Sequence, residues 1–209
     1  RANLCRDGPV TMREDSLAAL DGLGPTSPYR ATMHHTEGLS YLLEGDLERA
    51  DASFVHAYDL AASMETSPLA ALVLAEQFLI AAERDEWSSA ESLIKRALEV
   101  VARGPYDDYW TSALVFASAA RLAVHRGDMR EAREQARRAA RLRPLLTYAL
   151  PVVSIQALVE LARVYLAKAP GMTIADVDRY LPGADAEQAD EAPGIPTELV
   201  QSFPADADE

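Results

Sequence analysis

The sequence predicts an all-α protein, a solenoid of antiparallel helix pairs that repeats about every 40 residues. Three observations carry that expectation. Of 209 residues, 38 are Ala and 26 are Leu, both strong helix formers, against 10 Gly and 12 Pro. A short word recurs as Gly45-Asp46-Leu47-Glu48-Arg49-Ala50, Asp85-Glu86-Trp87-Ser88-Ser89-Ala90 and Gly127-Asp128-Met129-Arg130-Glu131-Ala132, with its alanines 40 and 42 residues apart. Ser27-Pro28 and Ser67-Pro68 hold the same register, since 22 residues separate Pro28 from Ala50 and Pro68 from Ala90. In each word the small or acidic pair makes a tight turn and the acid caps the next helix. The Ala lets two helices approach closely. A Ser before a Pro similarly predicts a capping residue followed by the first helical position.

Apolar residues at helical spacing then place the elements in order. Leu39, Leu42 and Leu43 mark a first helix over 28–44, and Phe54, Tyr58 and Ala61 a second over 47–64. Leu72, Ala75, Phe78 and Leu79 mark the next first helix over 68–83, paired with a second over 87–103. A third pair falls over 108–126 and 129–142, and a fourth first helix runs from Pro151 to Ala169 before Pro170-Gly171 breaks it. A shortened last helix is expected over 174–181. Ahead of the pairs, residues 1–26 hold one possible helix, Val10 to Leu20, read as the remnant of an earlier repeat. The organisation is therefore a remnant and linker over 1–26, a repeat domain over 27–181 and an acidic tail over 182–209, expected to be disordered.

Charge and composition narrow the function. The net charge is −13, with 33 acids against 20 bases, and whole-chain binding to nucleic acid or anionic lipid is disfavoured. From Asp176 onward ten acids meet one base, Arg179, so −9 of that charge falls on the tail and the repeat body is close to balanced. The apolar run Pro68 to Ala82 is broken by Glu76 and Gln77 and is shorter than the roughly 20 residues that span a bilayer. A single cysteine, Cys5, excludes an intramolecular disulfide, and a cytoplasmic location is expected. The chain begins at Arg1 and not at Met, which suggests a piece of something longer.

Helix pairs joined by a Gly-Asp turn and followed by Ala resemble tetratricopeptide repeats, although the period exceeds the usual 34. A narrower resemblance rests on longer words. Leu142-Arg143-Pro144-Leu145-Leu146-Thr147-Tyr148-Ala149-Leu150-Pro151 and Leu158-Val159-Glu160-Leu161-Ala162-Arg163-Val164-Tyr165-Leu166-Ala167 are similar to the end of the helical-repeat region in large actinobacterial LuxR-type transcriptional regulators. Ser112 to Ala117, Ala120 to Asp128, Asp7-Gly8-Pro9, Gly45-Asp46 and Asp108-Tyr109 match similar words there. The resemblance spans roughly residues 4 to 169. It implies the sensor region of a protein laid out like the maltose-regulon activator: an ATP-binding module, tetratricopeptide-like repeats, then a DNA-binding helix-turn-helix. Neither a phosphate loop nor a helix-turn-helix motif is found in this sequence, and after Ile174 the acidic segment replaces the basic linker the family would supply.

Few residues suggest chemistry. His34 and His35 are adjacent and point about 100° apart on a helix, so they cannot chelate one ion from one face. His56 and His125 stand alone, and no metal, cofactor or catalytic constellation is expected. Arg130, Arg133, Arg137 and Arg141 form a stripe on one helix face. It reads either as a docking surface for an acidic partner, the tail included, or for nucleic acid, with Arg133 and Arg137 at its centre, or as a solvated outer face. Tyr106-Asp107-Asp108-Tyr109-Trp110 opens a first helix. Asp107 or Asp108 as cap with the rings packed between repeats explains it; so does an effector or partner pocket anchored by Tyr106, Tyr109 and Trp110.

The leading expectation is thus the non-catalytic sensor and protein-interaction region of a LuxR-type regulator. It would take a protein partner or small-molecule effector on its concave face, and reach DNA only through a module outside this chain. The alternative is a free-standing tetratricopeptide adaptor, though not of the peptide-clamping kind that uses recurring Asn, since Asn3 is the only one.

Overall fold

A computed structural model describes residues 7–64, 67–146 and 151–168. Among these residues the chain is helical throughout, with no strand. The α-helices are α1 (Gly8–Gly22), α2 (Tyr29–Glu44), α3 (Leu47–Ala62), α4 (Pro68–Glu83), α5 (Trp87–Arg103), α6 (Ser112–His125), α7 (Met129–Arg141) and α8 (Pro151–Lys168), with a 3-10 turn at Arg143–Leu145. The helix expected over 174–181, the Pro170-Gly171 break, the tail 182–209 and Cys5 lie outside the described residues.

Expected and observed helix ends agree closely except at α6, which starts at Ser112 and not at 108. The intervening residues are spent on a turn: the Tyr109 N–H donates to the Tyr106 carbonyl at 3.0 Å and the Ser112 N–H to the Tyr109 carbonyl at 3.0 Å. The Ser112 hydroxyl adds a bond to the Tyr106 carbonyl at 2.7 Å. Asp107 and Asp108, expected as caps, instead pair with Arg138 at 2.5 Å and Arg141 at 2.9 Å on α7. Ser67, also expected to cap, makes no side-chain capping bond to α4.

The recurring word works as its residues dictate at two of three sites. Gly45 (φ +79°), Asp85 (φ +56°) and Gly127 (φ +74°) each take the left-handed conformation that stops the first helix of a pair. Asp46 then accepts from the Arg49 N–H at 3.1 Å and Asp128 from the Glu131 N–H at 3.0 Å. Glu86, one methylene longer, makes no such cap. Ala50, Ala90 and Ala132 are all fully buried, where the returning helix presses on its partner.

The resulting pairs, α2 on α3, α4 on α5 and α6 on α7, pack side by side, and α3 also touches α4 as α5 touches α6. Two-residue connections leave each second helix no course but back along the first. α1 packs on α2, with Met12 buried beside Leu39 and Phe54, and Arg30 of α2 donates to the carbonyls of Leu20 (3.1 Å) and Leu23 (3.3 Å) at the end of α1. α4 is central: twelve of its sixteen residues are buried, which explains why its sequence is apolar on every side. Where α2 crosses α3, Gly38 is essential, since a Cβ there would lie 2.5 Å from the Phe54 ring and 3.2 Å from the Ala50 carbonyl.

α8 packs closely on α6 and more lightly on α7, and it also reaches α4 through long side chains. Gln156 donates to Glu76 at 2.7 Å, and Arg163 to Glu83 at 2.7 Å, across 80 residues of sequence. Arg121 of α6 joins the same group, reaching Glu160 at 3.2 Å and Glu83 at 3.3 Å. Burial pushes the Glu160 carboxyl above the usual carboxylate range, while Arg121 and Arg163 pull it back. Glu83, more exposed, is held below that range chiefly by the hydrogen bond from Arg163.

Two predictions follow from this packing. Gly38→Ala should destabilise the protein by about 2 kcal/mol, as overpacking against an immobile ring does, measured by urea denaturation. Arg121→Met should cost about 3 kcal/mol, because it strips a buried carboxylate of a partner. The double variant Arg121→Met/Glu160→Leu should recover most of that loss; no recovery would mean that Arg121 acts through packing alone. The acid dependence has opposing signs. Glu83 contributes stability that is lost as pH falls through its lowered pKa, whereas Glu160, with a raised pKa, is relieved by protonation. Glu83→Gln should therefore flatten the acid-side fall in stability.

Candidate functional site

A cavity of about 200 Å³ opens between α2, α4, the turn before α6, and α8. Its wall is largely apolar: Leu39 from α2, Pro68, Leu69 and Leu72 from α4, and Val152 and Val153 from α8, with Tyr109 and Trp110 from the turn. Thr32, His35 and Thr111 complete it. The local chemistry explains the arrangement. Pro68 and Pro151 occupy first helical positions, where a missing N–H is harmless. They bring the opening turns of α4 and α8 to the cavity. The α5–α6 turn is fixed from α7 by the Arg138 and Arg141 ion pairs, and this fixes where Tyr109 and Trp110 stand.

Two lining residues are more than nine-tenths buried and carry polar atoms without a hydrogen-bond partner: His35 at Nε2 and Thr111 at Oγ1. His35 Nε2 stands 3.7 Å from Glu76 Oε1, an ion-pair distance too long for a hydrogen bond. Glu76 is fully buried and does not line the cavity. Its other oxygen takes the Gln156 hydrogen bond, so the Glu76–Gln156 contact closes the space between α4 and α8 behind His35. Beyond that contact lies a second, more open groove of about 490 Å³, walled by Leu42, Leu43, Leu79, Ile80, Ile155 and Val159 and ending at Glu83, Glu160 and Arg163.

The residues singled out from the sequence divide into three places. Tyr109 and Trp110 line the cavity, with ring centroids 6.0 Å apart. Tyr106, 6.3 Å from Tyr109, faces instead a separate hollow of about 300 Å³ with Tyr58, Met64 and Val100. Arg133 and Arg137 lie on the exposed face of α7 and line none of these spaces; Arg137 pairs with Glu134 at 2.9 Å. Their neighbour Arg138 turns inward, with its guanidinium 3.8 Å from the Phe116 ring centroid. His34 faces Glu37 at 3.2 Å, and His125 stacks on Trp87 at 3.8 Å. No group of three or more His, Cys, Asp or Glu residues is placed to hold a metal ion among the described residues. Among them, too, no helix is long and apolar enough to cross a membrane.

Four residues of this region were not singled out by the pattern of the sequence: His35 as a lining residue, Thr111, Gln156 and Glu76. One signal for them was visible. A carboxylate in the middle of a helix that is apolar on all sides must be buried, and a buried carboxylate requires partners.

No protein-family model matches the chain, and no characterised protein or solved structure is significantly similar to it.

Because Arg133 and Arg137 reach neither cavity nor core, the double reversal Arg133→Glu/Arg137→Glu should change stability by less than about 0.5 kcal/mol. Urea unfolding checks this, and a loss of several times that size would place these arginines in the packing.

Proposed function

We propose that this chain is the non-catalytic sensor and interaction region of a LuxR-type transcriptional regulator, built as a tetratricopeptide-like solenoid, which binds a small-molecule effector between α2, α4 and α8. The observation that carries the reading is the origin of the cavity walls. They come from three first helices that are not consecutive in the chain, with Trp110 and Tyr109 as rigid anchors at the mouth. An effector held there would tie α8 to the α2–α4 part of the protein. In the regulator layout implied by the resemblance, the DNA-binding module follows on the C-terminal side, so α8 is the element suited to pass the signal on. Partner proteins and a cytoplasmic setting belong to the same proposal.

A second reading, a free-standing tetratricopeptide adaptor, is favoured by the larger groove. Ile155 and Leu43 are 60% and 47% exposed at its edge, a surface suited to an apolar peptide face. The coding DNA on either side of this segment separates the two. The regulator reading predicts a phosphate-loop module upstream and a helix-turn-helix downstream in the same frame. A start codon just before Arg1 and a stop just after Glu209 would overturn it in favour of the adaptor.

A further inference from the structure

We infer that the cavity between α2, α4 and α8 takes a compact apolar carboxylic acid, bound as its carboxylate; this rests on the ligand-binding reading above and gives that ligand a chemical class. Size sets the first limit. About 200 Å³ is below the roughly 300–1,000 Å³ of sites for drug-sized molecules, so a ligand of single-ring size fits. Leu39, Leu69, Leu72, Trp110, Val152 and Val153 supply apolar contact for its body.

The polar end follows from what the wall contains and what it lacks. No Asp, Glu, Lys or Arg lines the cavity. Val152 and Val153 are the second and third residues of the 18-residue α8, and the first N–H groups of a helix have no partner within it. Val152 also lines the larger groove beside Leu42 and Leu43, so α8 starts level with the later turns of α2, and the cavity extends along the earlier ones at Thr32 and His35. The cavity therefore lies off the positive end of the α8 dipole, where an anion is favoured. Leu69 sits likewise in the first turn of α4, whose Ser67 gives no side-chain cap. Independently of the helix ends, Thr111 Oγ1 and His35 Nε2 are buried without hydrogen-bond partners in residues of this wall, a costly state that a ligand oxygen relieves. Glu76 is the adverse charge. It lies behind His35 and outside the lining, and so the carboxylate belongs at the Thr111 end and the apolar body toward Leu72 and Leu39.

Calorimetric titration of the full chain with phenylacetate and its neutral isostere phenylacetamide tests this. Phenylacetate should bind at least tenfold more tightly than the amide. Thr111→Val, which keeps shape and removes the hydroxyl, should lower that preference at least threefold with the circular dichroism unchanged, and Trp110→Ala should weaken both ligands. Equal binding of acid and amide overturns the carboxylate inference and leaves the cavity as a ligand site. If neither ligand binds and indole, a neutral apolar probe, does, the same conclusion holds. Failure of all three overturns the inference and the ligand-binding reading together.

Discussion

One buried carboxylate governs how the last helix is held. Glu160 is 3% exposed, and an isolated ion at that depth would cost several kcal/mol. Arg121 and Arg163 must therefore converge on it, from α6 and from one turn further along α8. Once there, both guanidiniums also meet Glu83 at the end of α4. Three helices that share little backbone contact at this end are thereby tied at one point. Because the carboxylate and the arginines are desolvated together, removing one partner costs more than the pair gains in net terms. The network thus specifies where α8 lies, while the bulk of the stability comes from apolar burial elsewhere.

That burial is organised around α4. Its fully buried Leu72, Val73, Leu74 and Phe78 point to different sides of one helix, and each side meets a different neighbour. Val73 and Ile80 join Phe54 of α3 and Val152 of α8, while Leu74 and Phe78 join the cluster with Ile94 and Phe116. The surface between α4 and α8 is the one place where such packing is incomplete. Side chains bridge it at Glu76–Gln156 and at Glu83–Arg163, and hollows remain on either side of the first bridge. Val152 lines both hollows, so the two spaces share a wall and a change in one is felt in the other.

The helices were legible in the sequence because their signals are local. Gly45, Asp46 and Ala50 act within six residues, and the same holds at Gly127, Asp128 and Ala132; α4 and α5 were bounded to the residue. The start of α6 was misjudged for a non-local reason. Asp107 and Asp108 look like caps, but α7 returns with Arg138 and Arg141 and claims both carboxylates. The site was half legible. Tyr109 and Trp110 signalled themselves as aromatics at a helix entrance, whereas Tyr106, two residues before the acids, turns to another hollow. His35 could not be told from His34 by type or spacing. Only its helical phase, which buries it opposite Glu76 while His34 stays with Glu37, separates the two.

In the proposed reading, signalling requires more than occupancy. A ligand shifts a conformational equilibrium only by the difference in its affinity for the two states. A cavity cut into one rigid helix pair would give no such difference. Here Val152 and Val153 form one wall and Leu39, Leu69 and Leu72 the others, so any state in which α8 stands away from α4 removes part of the ligand's contact and the α8 N–H groups together. The bonds that α8 would have to give up are few and polar, Gln156 to Glu76 and Arg163 to Glu83, while its packing on α6 is extensive and apolar, through Val153, Ala157, Leu161 and Val164. Movement of α8 and α6 as one body relative to α4 is therefore the change that costs least, and it is the change that a ligand in this cavity would oppose.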